Sequence, residues 1–281
     1  MPSPFTSAQA ARERVAARLK ELRLDAELNG RTLADLCGWN PAKSSRIENA
    51  KTPPSDADIR AWCRACGADD QAPDIIAASR SAEQMYVQFR RMHRRGMRAA
   101  QEEIVPLFEQ TRTFRAYCSN VMPGFFQTRE YATAILRMFA GFQGTPDDSE
   151  AAADARVTRN LVVHRGGHRF AVLVEEHVLR HRFADDAVMI EQLAYLLAVM
   201  SLPNVSLGVV PLGARRSIWG LEAFYLFDDK RVNVETLTAA VNVVAVGEIA
   251  DYARAFEELS KAAVYGDQAR ALISAAIAAI E

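Results

Sequence analysis

The chain has 281 residues, of which 49% are apolar and 25% are charged, so it is long enough for two globular domains. Its net charge of −1 is unevenly distributed: residues 1–80 hold 12 basic and 11 acidic side chains, residues 81–100 hold five and one, and the remainder holds 17 and 23. No apolar run approaches the ~18 residues that span a bilayer and the start has no hydrophobic signal core, so we expect a cytoplasmic protein.

The first predicted element is a helix over residues 8–28. Its apolar stripe, at three- and four-residue spacing, consists of Val15, Leu19, Leu22 and Leu24. A short second helix follows Asn29, whose side chain is suited to cap the first turn. Leu33 and Leu36 are three residues apart, so they are expected to share one face of that helix.

A third helix is predicted to begin at Asn40-Pro41, a cap residue followed by the residue favoured at the first helical position. Ile47 is the only large apolar residue between Pro41 and Asn49. The prolines of Thr52-Pro53-Pro54 end the helix, because proline lacks the backbone N–H. A short helix with one buried anchor and a polar outer face is typical of the second helix of a helix-turn-helix, which enters the DNA major groove.

The run Gly38-Trp39-x-x-x-Lys43-x-Ser45-Arg46-Ile47-Glu48 resembles the lambda-repressor-like (XRE-type) helix-turn-helix family. The chain departs from the family pattern at two positions. Gly30 stands where the family often has glutamine, and Ser44 stands where it usually buries an aliphatic side chain. The resemblance implies binding to double-stranded DNA.

A fourth helix is predicted after the cap residue Ser55, and a fifth over residues 70–79 completes an all-α five-helix domain of residues 1–80. The fourth contains Cys63-Arg64-Ala65-Cys66, a C-x-x-C match that could indicate zinc or redox chemistry. Zinc would need two further ligands nearby. At helical spacing, buried cysteines of the core are the favoured interpretation.

Residues 81–100 are predicted to form a basic linker helix, in which Met85, Phe89 and Met92 fit one buried stripe. Its five arginines are Arg90, Arg91, Arg94, Arg95 and Arg98. Two interpretations stay open for this helix. The arginines could form a solvated face, or they could contact phosphates beside the DNA-binding domain.

Residues 101–281 are predicted to form an α/β (α+β) domain, so the fold class is mixed. The predicted helices cover residues 101–111, 128–139, 150–164, 187–200, 246–265 and 268–280. The predicted strands lie within 112–122 and at 170–174, 205–210, 223–227 and 231–235.

Met122-Pro123-Gly124-Phe125-Phe126-Gln127-Thr128, with Tyr131-Ala132, is similar to the "PGLLQT…YA" signature of an actinobacterial regulator family. Further matches are Glu175-Glu176-x-Val178-Leu179-Arg180, Gln192-Leu193, and Tyr252 with Phe256. These regulators, called WhiJ-like, join an XRE-type domain to this C-terminal domain. The resemblance implies a role in development or antibiotic production. For several members it implies an antitoxin-like pairing with a small protein encoded alongside.

No nucleophile elbow, phosphate-binding loop or dinucleotide fingerprint occurs, so we expect neither an enzyme nor a cofactor. Glu175, Glu176, His177 and His181 invite a metal site, but their order differs from H-E-x-x-H and we expect none. Arg156 and Arg159, near His164, could form an anion site. A solvated helix face is the favoured interpretation of these two arginines.

The predicted function is sequence-specific DNA binding by a transcriptional regulator. Arg46 is expected to contact a base edge, with Ala42 and Ser45 beside it. The expected phosphate contacts are Arg31, Lys43, Asn49 and Lys51, and Thr32 and Asn40 complete the interface. Since one such motif reads few base pairs, a homodimer on a two-fold site is expected.

Two rival functions remain open for the C-terminal domain. It could hold a small protein partner, with DNA binding serving only to regulate the pair. Alternatively, it could be the receptor of a small-molecule-responsive repressor. The expected ligand or partner site consists of Phe125, Phe126, Gln127, Tyr131 and Trp219, although the same aromatic residues could simply form core.

Overall fold

The computed structural model describes residues 4–88, 96–220, 222–237 and 239–280. The chain divides into two compact units, Met1–Val87 and Gln88–Glu281. The first is helical and the second combines a sheet with helices, which confirms the predicted mixed fold class. Within the described ranges, no helix is both long and apolar enough to cross a membrane.

The described part of the first unit contains five α-helices. They are α1 Pro4–Asp25, α2 Gly30–Leu36, α3 Pro41–Glu48, α4 Asp56–Ala65 and α5 Ala72–Met85. The three predicted caps are confirmed, because the side chains of Asn29, Asn40 and Ser55 each accept a hydrogen bond from the first turn that follows. Ser55 and Asp58 form a complete capping box, in which each side chain accepts from the other residue's backbone N–H.

The core of the first unit surrounds Trp62, which is fully buried. Its indole Nε1 donates a hydrogen bond of 2.8 Å to the Leu19 carbonyl, so burial leaves no unsatisfied donor on the ring. Cys63 lies in the same core, as predicted. The expected place of Leu24 in the apolar stripe was wrong, since this residue is 55% exposed, and Leu36 is 60% exposed although Leu33 is fully buried.

Both exposed leucines lie at the C-terminal ends of their helices. Leu36 is the last residue of the seven-residue α2, whose buried face consists of Leu33 and Ala34. Helix α2 has only two turns, and the turn that contains Leu33 and Ala34 is the one that packs against the core. The apolar spacing continues to Leu36, beyond the part of the helix that is buried.

The predicted continuous helix over residues 81–100 is corrected by the structure. Helix α5 ends at Met85, and a short strand, β1 Tyr86–Gln88, follows it. The next described helix begins after Gly96, whose φ of 90° is incompatible with a right-handed helix. Of the five arginines, only Arg98 is described. Arg90, Arg91, Arg94 and Arg95 lie outside the described residues, as do Phe89 and Met92.

Seven α-helices and six strands make up the described part of the second unit. The helices are α6 Met97–Glu103, α7 Val105–Gln110, α8 Arg129–Gln143, α9 Ser149–Asn160, α10 Asp186–Val199, α11 Val246–Lys261 and α12 Gly266–Ala278. The strands are β2 Thr113–Cys118, β3 Arg169–Glu175, β4 Val205–Val210, β5 Phe224–Phe227, β6 Arg231–Glu235 and β7 Ala239–Val243. The predicted helix at 101–111 is divided at Ile104, and β7 was not predicted.

The six strands form one sheet in the order β7-β6-β5-β2-β3-β4. Strands β2, β3 and β4 are parallel to one another, and β5, β6 and β7 continue the sheet in antiparallel pairs. Phe114 of β2 stacks on Phe170 of β3, with their ring centroids 4.7 Å apart. The largest hydrophobic cluster of the unit is built on these parallel strands and on α10 and α12.

A buried carboxylate stands at the end of β3. Glu175 is 2% exposed, and both its oxygens accept hydrogen bonds of 2.6 Å from Arg216, which lies in the connection between β4 and β5. The Tyr117 hydroxyl donates a third bond, of 2.7 Å, to Glu175 Oε1. Burial alone would raise the pKa of Glu175, but the bonds from Arg216 and Tyr117 outweigh it and hold that pKa below its ordinary value.

We expect Glu175→Gln to lower the free energy of unfolding by about 2–3 kcal/mol, because the Arg216 guanidinium loses its charged partner. Urea denaturation of the full chain measures the effect. Glu130→Gln is the matched control, since its carboxylate is half exposed and lies 3.8 Å from Arg129.

The same pair predicts a pH dependence with a definite sign. A carboxylate whose pKa is lower in the folded state stabilises the fold at pH values above its unfolded-state pKa of about 4.5. This stabilisation is lost as the pH falls through the folded-state pKa. The stability difference between the wild type and Glu175→Gln should therefore shrink in acid. A difference that stays constant from pH 7 to pH 3 would contradict the assigned role of Glu175.

Candidate nucleic-acid interface

Helix α3 presses only two residues into the core. Ile47 is 1% exposed and Ser44 is 2% exposed. The Ser44 hydroxyl donates to the Pro41 carbonyl at 3.0 Å and lies 3.4 Å from the Gly30 carbonyl. Serine is therefore tolerated where the family buries an aliphatic side chain, because its polar atom has partners.

The opposite face of α3 is exposed. Ala42, Ser45, Arg46 and Asn49 all lie on the surface, as does Lys51 just beyond the helix. The contact between Ser44 and the Gly30 carbonyl places the start of α2 beside α3, and Arg31 and Thr32 there are also exposed. The structure thus brings the predicted DNA-contacting residues onto neighbouring parts of one unit.

Three of these side chains are already engaged within the domain. Asn40 Oδ1 accepts from the Ala42 amide at 2.8 Å, and Asn49 Nδ2 donates to the Ser45 carbonyl at 2.7 Å. Lys43 Nζ lies 2.6 Å from Asp58 Oδ1 and 4.5 Å from the centroid of the Trp39 ring. Lys43 is therefore less suited to phosphate than its sequence position indicates.

Arg31, Arg46 and Lys51 differ from these three residues. Among the described residues, the side chain of none of them forms an ion pair or a side-chain hydrogen bond. They are the cations of this surface that can meet phosphates or bases without first breaking an internal contact.

Sequence reasoning missed the residue that holds α3 to α1. Arg23 Nη2 lies 2.5 Å from Glu48 Oε1, and the two side chains are only 11% and 12% exposed. Arg23 also donates to the Leu28 carbonyl at 2.6 Å. The one signal in the sequence is a charged residue, Arg23, in the last turn of α1. Its partner Glu48 lies 25 positions further along the chain, too far for local patterns to pair them.

The residues expected to form a ligand or partner site in the second unit do not share one environment. Phe125, Phe126 and Tyr131 are 1% exposed or less and belong to the main core. Gln127 is buried as well, whereas Trp219 is 62% exposed in the connection between β4 and β5. The three core aromatic residues are therefore packing residues, and Trp219 stands apart from them on the surface.

The two histidines considered for metal binding have other partners. His177 Nε2 lies 2.8 Å from the Ser119 carbonyl, and His181 Nδ1 lies 3.1 Å from the Asn120 carbonyl. Of the neighbouring carboxylates, Glu175 pairs with Arg216 and Glu176 with Arg180. Where the structure describes the chain, no group of three metal-ligating side chains comes together.

The favoured interpretation of Arg159 as part of a solvated helix face was wrong. Arg159 is 9% exposed, and Arg156, one turn earlier on α9, is half-buried. Helix α9 packs against both α6 and α8, so its arginines face protein where an isolated amphipathic helix would face water.

A family model described as "Domain of unknown function (DUF5753)" matches residues 101–275, which is more than half of the chain. The chain belongs to the DUF5753 family. In this DUF5753 protein, a second family model, described as "Helix-turn-helix domain", matches residues 14–73, which contain α2, α3 and α4. A helix-turn-helix domain followed by a DUF5753 domain supports an XRE-like helix-turn-helix regulator.

One solved structure resembles the DUF5753 protein at low identity. It is described as "Structure of TrmBL2, an archaeal chromatin protein, shows a novel mode of DNA binding". The two share 13% of their sequence, with a TM-score of 0.31 over 89% of this chain and 100% of that one, and at this score the likeness carries no inference. No curated protein matches the chain.

The two lysines near α3 should behave differently in a salt titration of DNA binding. Lys51→Gln should lower the slope of log K against log salt by about 0.9, because one phosphate contact is lost. Lys43→Gln should change the slope little, because the Lys43 ammonium is already paired with Asp58. Lys230→Gln, an exposed lysine of the DUF5753 domain, is the matched control. Equal slope changes at Lys43 and Lys51 would overturn the distinction.

Proposed function

We propose that this protein is a sequence-specific DNA-binding transcriptional regulator and that α3 is its recognition helix. The observation that carries the proposal is the division of α3 into two faces. One face buries Ser44 and Ile47, and the other exposes Ser45 and Arg46. A helix held in place by so small a buried face is free to lie in the major groove.

Arg46 is the residue we assign to base reading. It lies one position before the buried anchor Ile47, and a guanidinium can grip the O6 and N7 atoms of guanine with two hydrogen bonds. Ala42 and Ser45 would flank it in the groove. Arg31 and Lys51 are assigned to phosphate, with Thr32 at the start of α2 beside them.

We further propose the finer role that the C-terminal motifs imply. The similarity to the WhiJ-like signature supports an actinobacterial regulator of development or antibiotic production. We assign the protein no catalytic activity. The DUF5753 domain would then control when or where the helix-turn-helix domain acts.

An antitoxin-like pairing with a small protein is the second candidate, and a surface feature of the DUF5753 domain favours it. Trp219 and Leu212 are 62% and 60% exposed in the connection between β4 and β5. Arg216 anchors this connection to Glu175, and the Leu212 amide donates to Glu176 at 3.0 Å. Large apolar side chains presented on an anchored loop are typical of protein-binding surfaces.

Arg46→Ala should weaken binding to the cognate site by about 1–3 kcal/mol and relax the preference at one base pair. Fluorescence anisotropy with the cognate duplex and with single-base variants measures both effects. An equal loss of affinity on cognate and random DNA would instead assign Arg46 to phosphate contact.

We also expect a homodimer that protects a pseudo-palindrome, with half-sites about one helical turn apart. Light scattering gives the mass in solution, and hydroxyl-radical footprinting gives the spacing. A monomer that protects a single half-site would refute the dimer.

A further inference from the structure

A cavity of about 440 Å³ lies in the DUF5753 domain, between α6 and α7 on one side and α9 on the other. Its apolar lining includes Val105, Phe108 and Val162. Arg159 also lines it, and this arginine is more than nine-tenths buried. The volume is that of a pocket for a small molecule.

The Arg159 guanidinium is incompletely satisfied. Its Nη1 donates to Gln101 Oε1 at 2.9 Å, and its Nη2 makes a long bond of 3.4 Å to Asn160 Oδ1. Its Nε is buried and has no hydrogen-bond partner. The guanidinium carbon lies 4.2 Å from the centroid of the Phe108 ring, within the range of a cation–π contact.

A second arginine stands beside it. Arg156 donates to Gln127 Oε1 at 2.6 Å and to Gln101 Oε1 at 3.2 Å, so the two guanidinium groups share one amide oxygen. All their acceptors are neutral, and neither forms an ion pair within the described parts of the chain. Burial, and then the charge of Arg156, lowers the pKa of Arg159 to about 9, a sign of how poorly the two charges are compensated.

The carboxylates of the cavity wall do not relieve this imbalance. Glu102 pairs with Arg98 at 2.8 Å, and Asp154 pairs with Arg129 at 2.6 Å. Glu109 is exposed. Glu235, which lies outside the cavity wall, is exposed as well, and although it favours the charged form of both arginines, its effect is smaller than that of burial. Two neighbouring like charges, one buried and one half-buried, with only amide partners are costly unless an anion completes the site.

We propose that this cavity binds a small organic anion, whose carboxylate or phosphate group pairs with Arg159 while its apolar body packs against Phe108, Val105 and Val162. The edge formed by Nε and Nη2 is the one that a carboxylate or phosphate grips with two parallel bonds. On that edge Nε has no partner, and Nη2 could exchange its long bond to Asn160 for a shorter one to the anion. Arg156 adds positive charge behind it. The site goes beyond DNA binding and makes the DUF5753 domain a receptor for an anionic metabolite.

Isothermal titration calorimetry on the full chain tests the proposal with three probes of similar size at constant ionic strength. Phenylacetate and phenyl phosphate carry the anionic groups, and phenylacetamide is the neutral counterpart. At least one anion should bind saturably, and about tenfold or more tighter than the amide, which is the expected effect of a charged hydrogen bond. The anion with the higher affinity shows whether the site prefers a carboxylate or a phosphate group.

Arg159→Met should weaken binding of that anion by about tenfold or more. Arg137→Gln is the control, since Arg137 is an exposed arginine of α8 whose ion-pair partners, Asp147 and Glu150, are exposed too. Arg159→Lys keeps the positive charge, so the variant should fold. It loses the edge with two nitrogens, so it should bind the anion more weakly than the wild type does.

A measurement on the wild type needs no variant to fold. The Nε–Hε signals of ¹⁵N-arginine-labelled wild-type protein should include one that shifts saturably on addition of the anion and does not shift on addition of phenylacetamide. Equal binding of anion and amide, no binding of either anion, or unchanged affinity in Arg159→Lys would overturn the proposal. Because each readout is ligand binding, failure here would leave the DNA-binding function untouched.

Discussion

The buried ion pair between Arg23 and Glu48 is the constraint on which the DNA-binding surface depends. Helix α3 has only eight residues and presses two of them into the core, too few to fix its orientation by packing alone. Arg23 ties its last turn to the end of α1, and the Asn40 cap fixes its first turn. With both ends held, the middle of the helix can leave Ser45 and Arg46 outside. Removing either member of the pair would leave the other charge largely buried without its partner, so the position of α3 depends on both residues.

In the DUF5753 domain, the signature motif is part of the main hydrophobic core. The domain's parallel strands place Phe114 and Phe170 in a core that includes Phe125 and Phe126, so the signature motif chiefly serves packing. The same motif still contributes to the polar site, because Gln127 accepts a hydrogen bond from Arg156. An anion bound beside Arg159 would therefore be connected to the segment that leads into α8 by three hydrogen bonds, from Arg159 to Gln101, from Arg156 to Gln101 and from Arg156 to Gln127. This chain of hydrogen bonds links the proposed site to the signature motif.

What could be predicted from the sequence was local. The caps Asn29, Asn40 and Ser55 depend on neighbours two or three positions away, and all three were correct. Long-range features were not visible. The burial of Arg159 depends on α6, more than 50 positions away, and nothing in the amphipathic pattern of α9 reveals it. Strand β7 was missed because its alternation is carried by alanine, valine and asparagine, which bury too little to give a clear period of two. The predicted helix over 81–100 was wrong because the chain leaves the helix at Met85 for strand β1 and then passes through Gly96 at a φ of 90°, and apolar periodicity reveals neither feature.

As a recognition helix, α3 would read a DNA sequence through its outer face. Selection of binding sites from a random duplex library, run in parallel with the full-length wild type and with Ser45→Gln, tests it most directly. Ser45 is exposed and lies beside Arg46, so the substitution should leave folding unchanged while it alters one position of the groove contact. We expect a two-fold symmetric motif for the wild type and a motif changed at one symmetric pair of positions for the variant. Enrichment of no motif, or of the same motif by both proteins, would contradict it.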